Sequence, residues 1–111
     1  MKLVIAIVED ENSINLIDAL TDGEYRVTKL ATTGGFLKSG NTTLLVGVEE
    51  DRVNDVVGII KNVCKKRKEI RSTPTAMNGA ESAIMHHHYP IQVSVGGATV
   101  FVIDVDQFIK I

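Results

Sequence analysis

The sequence predicts an α+β sandwich of the ferredoxin-like type, with two helices on one face of an antiparallel sheet. The element order is β-α-β-β-α-β, with an extra strand near the end and a long loop before the C-terminal strands. Three observations predict it. Short apolar, β-branched runs recur along the chain, two intervening segments carry helical spacing, and 111 residues suffice for a single domain spanning 1–111. With 44% hydrophobic and 23% charged residues, the composition is globular and excludes a disordered chain.

Residues 2–8, KLVIAIV, form a nearly continuous apolar run, the pattern of a strand buried on both faces. Glu9, Asp10 and Glu11 end it. Asp10 suits the N-cap of a helix starting near Glu11, where acids in the first turn are favourable. Ile14, Leu16, Ile17 and Leu20 share about half of that helix's circumference, and Gly23 suits the C′ position. Residues 25–33, YRVTKLATT, read as the second strand. Period-2 alternation puts Arg26, Thr28 and Leu30 on one face and Tyr25, Val27, Lys29 and Ala31 on the other. Gly34 and Gly35 open a loop to about Asn41, and residues 42–48, TTLLVGV, form the third strand. Residues 49–67 are the second helix, on the spacing of Val53, Val56, Val57, Ile60, Val63 and Cys64. A short strand is expected near Ile70. Residues 71–89 then lack periodicity, and a loop of that length in a compact domain is usually functional or mobile. Residues 91–95 and 99–105 are strands joined around Gly96, Gly97 and Ala98.

Charge and composition narrow the function. Twelve basic against fourteen acidic residues leave a net charge of −2, without the basic surplus of a non-specific nucleic-acid binder. No apolar run approaches the roughly 18 residues of a membrane helix, so no membrane insertion is expected. The N-terminal apolar run is too short for a signal peptide. Cys64 stands alone, which excludes an internal disulfide and a multi-cysteine zinc site. These features predict a cytoplasmic protein. A chain this short buries only part of its surface as a monomer, so oligomerisation is expected from size.

The chemistry concentrates between Arg26 and Gly47. Arg26 and Thr28 project from one strand face and suit a phosphate, through a charged fork and a hydroxyl. Gly34 and Gly35 allow backbone N–H groups close to an anion. Phe36 in that loop suits stacking on a base, and Asn41 offers the donor–acceptor pair that reads an adenine edge. The same residues also fit an ordinary β-hairpin in which the glycines make turns and Phe36 caps the core. The chain lacks the GxxxxGK[ST] phosphate loop and the GxGxxG dinucleotide fingerprint.

KLATTGGFLKSGNTTLLVGVEEDRV, together with GGATVFVIDVDQF near the C-terminus, closely resembles the PII-like cyclic di-AMP receptor proteins of Gram-positive bacteria. The resemblance covers essentially the whole chain. It implies a PII-like, ferredoxin-like subunit in a ring-shaped homotrimer, one ligand site at each subunit interface, no catalytic activity and no cofactor beyond the ligand cyclic di-AMP. It also implies a relay of nucleotide level to an unknown downstream protein through mobile loops. By that resemblance Arg26 and Thr28 lie on the phosphate side. Gly35, Phe36 and Leu37 belong to the loop closing on a base, with Phe36 near the adenine. Asn41 reads a base, and Gly47 stands where a side chain would block the pocket. Gly96, Gly97 and Phe101 match the C-terminal part of the interface. Glu24 departs from the polar neutral residue of some relatives, and residues 71–89, expected to face a partner, match weakly.

Other features take ordinary readings. His86, His87 and His88 are consecutive and do not converge readily on one ion, so no metal is expected and a solvated loop is preferred. The basic run 65–68 complements the dipole at the second helix's end. Cys64 is a small buried hydrophobe. Asp104 and Asp106 share a strand face with no nearby histidine or metal, as turn or surface acids. Three rival functions remain: a small ferredoxin-like enzyme, a PII-type sensor of ATP or another adenine nucleotide, and a constitutive interaction module.

Overall fold

The computed structural model describes residues 1–30, 40–72 and 90–111. β1 (Lys2–Glu9) leads into α1 (Asp10–Asp22), followed by β2 (Thr28–Lys29) and β3 (Asn41–Val48). A 3-10 turn (Glu50–Arg52) then precedes α2 (Val53–Val63), β4 (Arg67–Ser72), β5 (Pro90–Val95) and β6 (Ala98–Asp104). The chain divides into two compact units, Met1–Lys65 with Gly96–Ile111, and Lys66–Val95.

The first unit is the α+β sandwich. Its sheet runs β2-β3-β1-β6 with every neighbouring pair antiparallel, the strand order of a split βαβ fold. β1 is central, pairing with β3 from Lys2↔Val48 to Glu9↔Asn41 and with β6 from Lys2↔Asp104 to Val8↔Ala98. Val4, Ala6 and Val8 of β1 and Leu44, Val46 and Val48 of β3 point to one face. There they pack with Leu16 and Leu20 of α1, Val56 and Ile60 of α2, and Cys64. Removing these side chains from water is the main stabilising term of the unit. The second unit is a two-stranded ribbon, β4 against β5, in register from Arg67↔Val95 to Ser72↔Pro90.

Several sequence expectations change in detail. β1 reads as a strand buried on both faces, yet within one chain only the helix-side residues are fully buried; Leu3, Ile5 and Ile7 opposite are half-buried. Asp10 is the first residue of α1, not its cap. Its carboxylate accepts from the Thr42 hydroxyl, and its N–H donates to the Gly40 carbonyl (2.8 Å), tying the start of α1 to the start of β3. At the other end of α1, Tyr25 N–H donates to Leu20 O and Glu24 N–H to Thr21 O, both at 2.9 Å, a Schellman pattern. The left-handed residue is Glu24 (φ 67°), not Gly23 (φ −78°). Space at Gly23 is tight, since a Cβ there would lie 3.1 Å from two carbons of the Tyr25 ring, which would have to give by a few tenths of an ångström.

The second strand pairs over Thr28 and Lys29 rather than throughout 25–33; Leu30 N–H adds a bond to Thr43 O, and residues 31–33 lie outside the described residues. The second helix is shorter than 49–67. A 3-10 turn replaces its first residues, and it ends at Val63. The basic run 65–68 is therefore divided: Lys65 and Lys66 follow the helix's C-cap Cys64, whereas Arg67 and Lys68 begin β4, near the strand expected at Ile70. The two C-terminal strands, joined at Gly96 and Gly97 as expected, belong to different sheets: β5 joins β4 and β6 joins β1. The loop 71–89 falls outside the described residues from 73 on, with His86, His87 and His88.

Candidate functional site

A cavity of about 760 Å³ lies against the first unit's sheet, at the end where β1 begins. That volume falls within the roughly 300–1,000 Å³ range of small-molecule sites. Strand register builds its floor. Leu3 pairs with Gly47, and Thr28 pairs with Leu45, so these four side-chain positions share the sheet face opposite the helices. Arg26, two residues before Thr28, opens to the same side, while Tyr25 and Val27 pack on the helix-side core. The far wall is the C-terminal segment. Val105 N–H donates to Met1 O (3.2 Å), extending the β1–β6 ladder and bringing Phe108, Ile109 and Lys110 to the cavity.

Arg26, Thr28 and Gly47 thus line one cavity. Gly47 is exposed in mid-strand without positive φ, and among the described residues a Cβ there would meet only the Met1 sulfur, at 4.0 Å. Neither backbone conformation nor packing among the described residues requires a glycine at this point. Asn41, Gly96 and Gly97 lie at the opposite end of the sheet. Asn41 is exposed and pairs with Glu9 in register. Gly96 N–H donates to the Glu9 carboxylate (2.8 Å), and Gly97 N–H donates to the Cys64 carbonyl. Both glycines have positive φ, 89° and 83°, so the turn between β5 and β6 itself demands them. Phe101 sits in mid-β6 opposite Ile5, 52% exposed and outside the cavity lining. Gly35, Phe36 and Leu37 lie outside the described residues.

Sequence reasoning missed part of the wall. Tyr25 and Arg52 meet there: Arg52 Nε donates to Tyr25 Oη (3.1 Å), and Arg52 Cζ lies 5.0 Å from the ring centroid. That hydrogen bond, ahead of the nearby Asp55 and Asp51 charges, raises the guanidinium's pKa further above its ordinary value. Beside the cavity mouth, the N-terminal amine lies 3.8 Å from the Glu49 carboxylate. Lys2 donates to Asp104, its cross-strand partner, which raises the lysine's pKa and lowers the carboxyl's. Cys64, 2% exposed, has its thiol pKa pushed up by burial, with a smaller contribution from Glu9, and it fills core space.

A ferredoxin-like sheet with an amphipathic, arginine-bearing cavity on its open face is the architecture of a small ligand-binding domain. The family model described as cyclic-di-AMP receptor matches residues 1–111, the whole chain, and the chain belongs to that family. Among solved structures it is similar to the crystal structure of a functionally unknown protein from Pediococcus pentosaceus ATCC 25745. The two share 49% sequence identity with a TM-score of 0.74, over 99% of this chain and 96% of that one. Among the described residues no helix is long and apolar enough to cross a membrane.

Proposed function

We propose that the protein is a cytoplasmic second-messenger receptor. It binds cyclic di-AMP between the subunits of a homotrimer and relays occupancy to a protein partner through its loops, without catalysis. The family assignment supports the ligand. One observation carries the shared site. Arg26, Thr28 and Gly47 flank the first residues of β1, whereas Asn41, Gly96 and Gly97 flank its last. Leu3 and Glu9 are six residues apart on one strand, or about 20 Å at the usual strand rise. In this reading the two groups complete one site from neighbouring copies. The sheet face opposite the helices supports assembly, because it leaves Phe101 and Ile103 about half exposed beside half-buried Leu3, Ile5 and Leu45. β1 is written as a strand covered on both faces, and a neighbouring copy would supply the missing cover.

Calorimetry with cyclic di-AMP and ATP side by side tests the ligand. Cyclic di-AMP is expected to bind and ATP to bind weakly or not at all. Arg26→Ala should weaken cyclic di-AMP binding by about 1.5–3 kcal/mol, the scale of a charge-assisted hydrogen bond. The melting temperature of the free protein should barely change, since Arg26 is exposed. Unchanged affinity would remove Arg26 from the site, and preference for ATP would replace the ligand.

A further inference from the structure

Arg52 is the second arginine of the cavity wall, and its setting is that of a prepared anion contact. It ends the 3-10 turn before α2. Its Nε–H is committed to the Tyr25 hydroxyl at 3.1 Å, and its guanidinium carbon lies 5.0 Å from the Tyr25 ring centroid. The same Nε stands 3.6 Å from the Asp55 carboxylate, an ion pair too long for a hydrogen bond. The two terminal nitrogens keep their N–H groups uncommitted among the described residues. They form the planar pair of donors that matches two oxygens of one phosphate.

Tyr25 is itself held. It packs on the helix-side core, and Gly23 leaves the room its ring occupies. A guanidinium stacked on a fixed ring and tied to its hydroxyl has less freedom to lose on binding than a free surface arginine. Arg26, Arg52 and Lys110 line the cavity with Glu24 and Glu49, so cations outnumber acids on its wall. Cyclic di-AMP carries two phosphodiesters, and Arg26 with Thr28 accounts for one.

We propose that Arg52, braced on Tyr25, is a phosphate-binding residue of this cavity and takes the phosphodiester that Arg26 and Thr28 do not. The proposal rests on the reading of the cavity as the cyclic di-AMP site. An alternative role for Arg52 is a brace that only positions Tyr25, and the two roles differ in their dependence on salt. Salt screens the attraction between a cation and a phosphate, so losing a phosphate contact flattens the fall of affinity with salt; loss of a brace does not.

The test is calorimetry with cyclic di-AMP at low and moderate sodium chloride, on the wild type and on Arg52→Gln, Arg52→Lys, Tyr25→Phe and Arg26→Ala. Arg52→Gln should bind about tenfold more weakly and with a shallower salt dependence. Arg52→Lys, a point charge without the fork, should recover part of the loss and keep the wild-type slope. Tyr25→Phe keeps the ring beneath the guanidinium and should stay within about threefold of the wild type. If Arg52→Gln binds as the wild type does while Arg26→Ala binds weakly, this proposal alone falls. A weakened Arg52→Gln with an unchanged salt slope, matched by an equal loss in Tyr25→Phe, assigns the brace and overturns it as well. Should the glutamine variant melt early, the lysine variant decides, because full wild-type affinity there would show that the fork is not used. A wild type that binds no cyclic di-AMP removes the reading of the cavity, and this proposal with it.

Discussion

At the scale of single residues, Gly47 allows folding and the proposed binding role to be tested separately. A glycine inside a strand forgoes side-chain packing and costs backbone entropy, so a strand keeps one where something must come close. Among the described residues nothing comes close: the nearest atom to a Cβ at Gly47 is the Met1 sulfur, at 4.0 Å. Gly47→Val should therefore leave the free protein as stable as before, or more stable by up to about 1 kcal/mol. It should lower cyclic di-AMP affinity at least tenfold by filling the cavity floor. Thermal melting without ligand and calorimetry with it read the two effects separately; a destabilised protein with normal affinity would make Gly47 a packing glycine. Of the cavity residues, Arg26 and Thr28 were marked in the sequence by period-2 alternation, and Gly47 by the family resemblance alone. Arg52 was not. It reads as one charge after the acids Glu49, Glu50 and Asp51, and its partner Tyr25 lies 27 positions away. Phe108 and Ile109 were missed for a similar reason, since only the tail's anchorage on Met1 brings them to the wall.

At the scale of elements, the sequence specifies the hydrophobic faces more firmly than the element ends. The apolar spacing of Val53, Val56, Ile60 and Cys64 reads as one helical stripe, and these residues do pack on one core. The stripe's continuation into Cys64 suggests a helix running on through the basic residues, but α2 ends at Val63 and the last helical hydrogen bond is that of its cap, Cys64 N–H to Ile60 O. The turn after α1 teaches the same point. A glycine near a helix end suggests a left-handed cap, whereas Gly23 sits tight against the Tyr25 ring with φ −78° and the cap conformation passes to Glu24. Within α2, Gly58 has neither kind of reason. It is exposed, its φ is not positive, and a Cβ there meets nothing within 4 Å among the described residues. Gly58→Ala should therefore stabilise the protein by about 1 kcal/mol through helix propensity. Denaturant unfolding monitored by circular dichroism measures it. A loss of stability would mean that this helix face is covered in the assembled protein.

At the scale of the whole molecule, the β-α-β-β-α-β order fixes where the candidate ligand residues fall, and it puts them at opposite ends of one central strand. Arg26, Thr28 and Gly47 gather by the first residues of β1, whereas Gly96 and Gly97 reach its last residue, Glu9. Phe101 stands between the two ends, on β6, whose described pairing is with β1 alone. If each ligand is held by one copy's Arg26 and the next copy's Phe101, the protein should scatter light as about three times its 12.1 kDa chain. A complementation experiment follows from the same geometry. Arg26→Ala alone and Phe101→Ala alone each damage every site of a homotrimer. Dissociated and reassembled together in equal amounts, the two variants form mixed trimers. An intact site then arises wherever a Phe101→Ala copy, which retains Arg26, meets an Arg26→Ala copy, which retains Phe101. Random assembly with a closed cyclic interface predicts that about a quarter of the sites regain wild-type affinity, and the rest stay weak. Calorimetry of the mixture would then show a tight phase with about a quarter of the wild-type stoichiometry, absent from either variant alone. A site built within one chain gives no such recovery, because no copy in the mixture carries both residues.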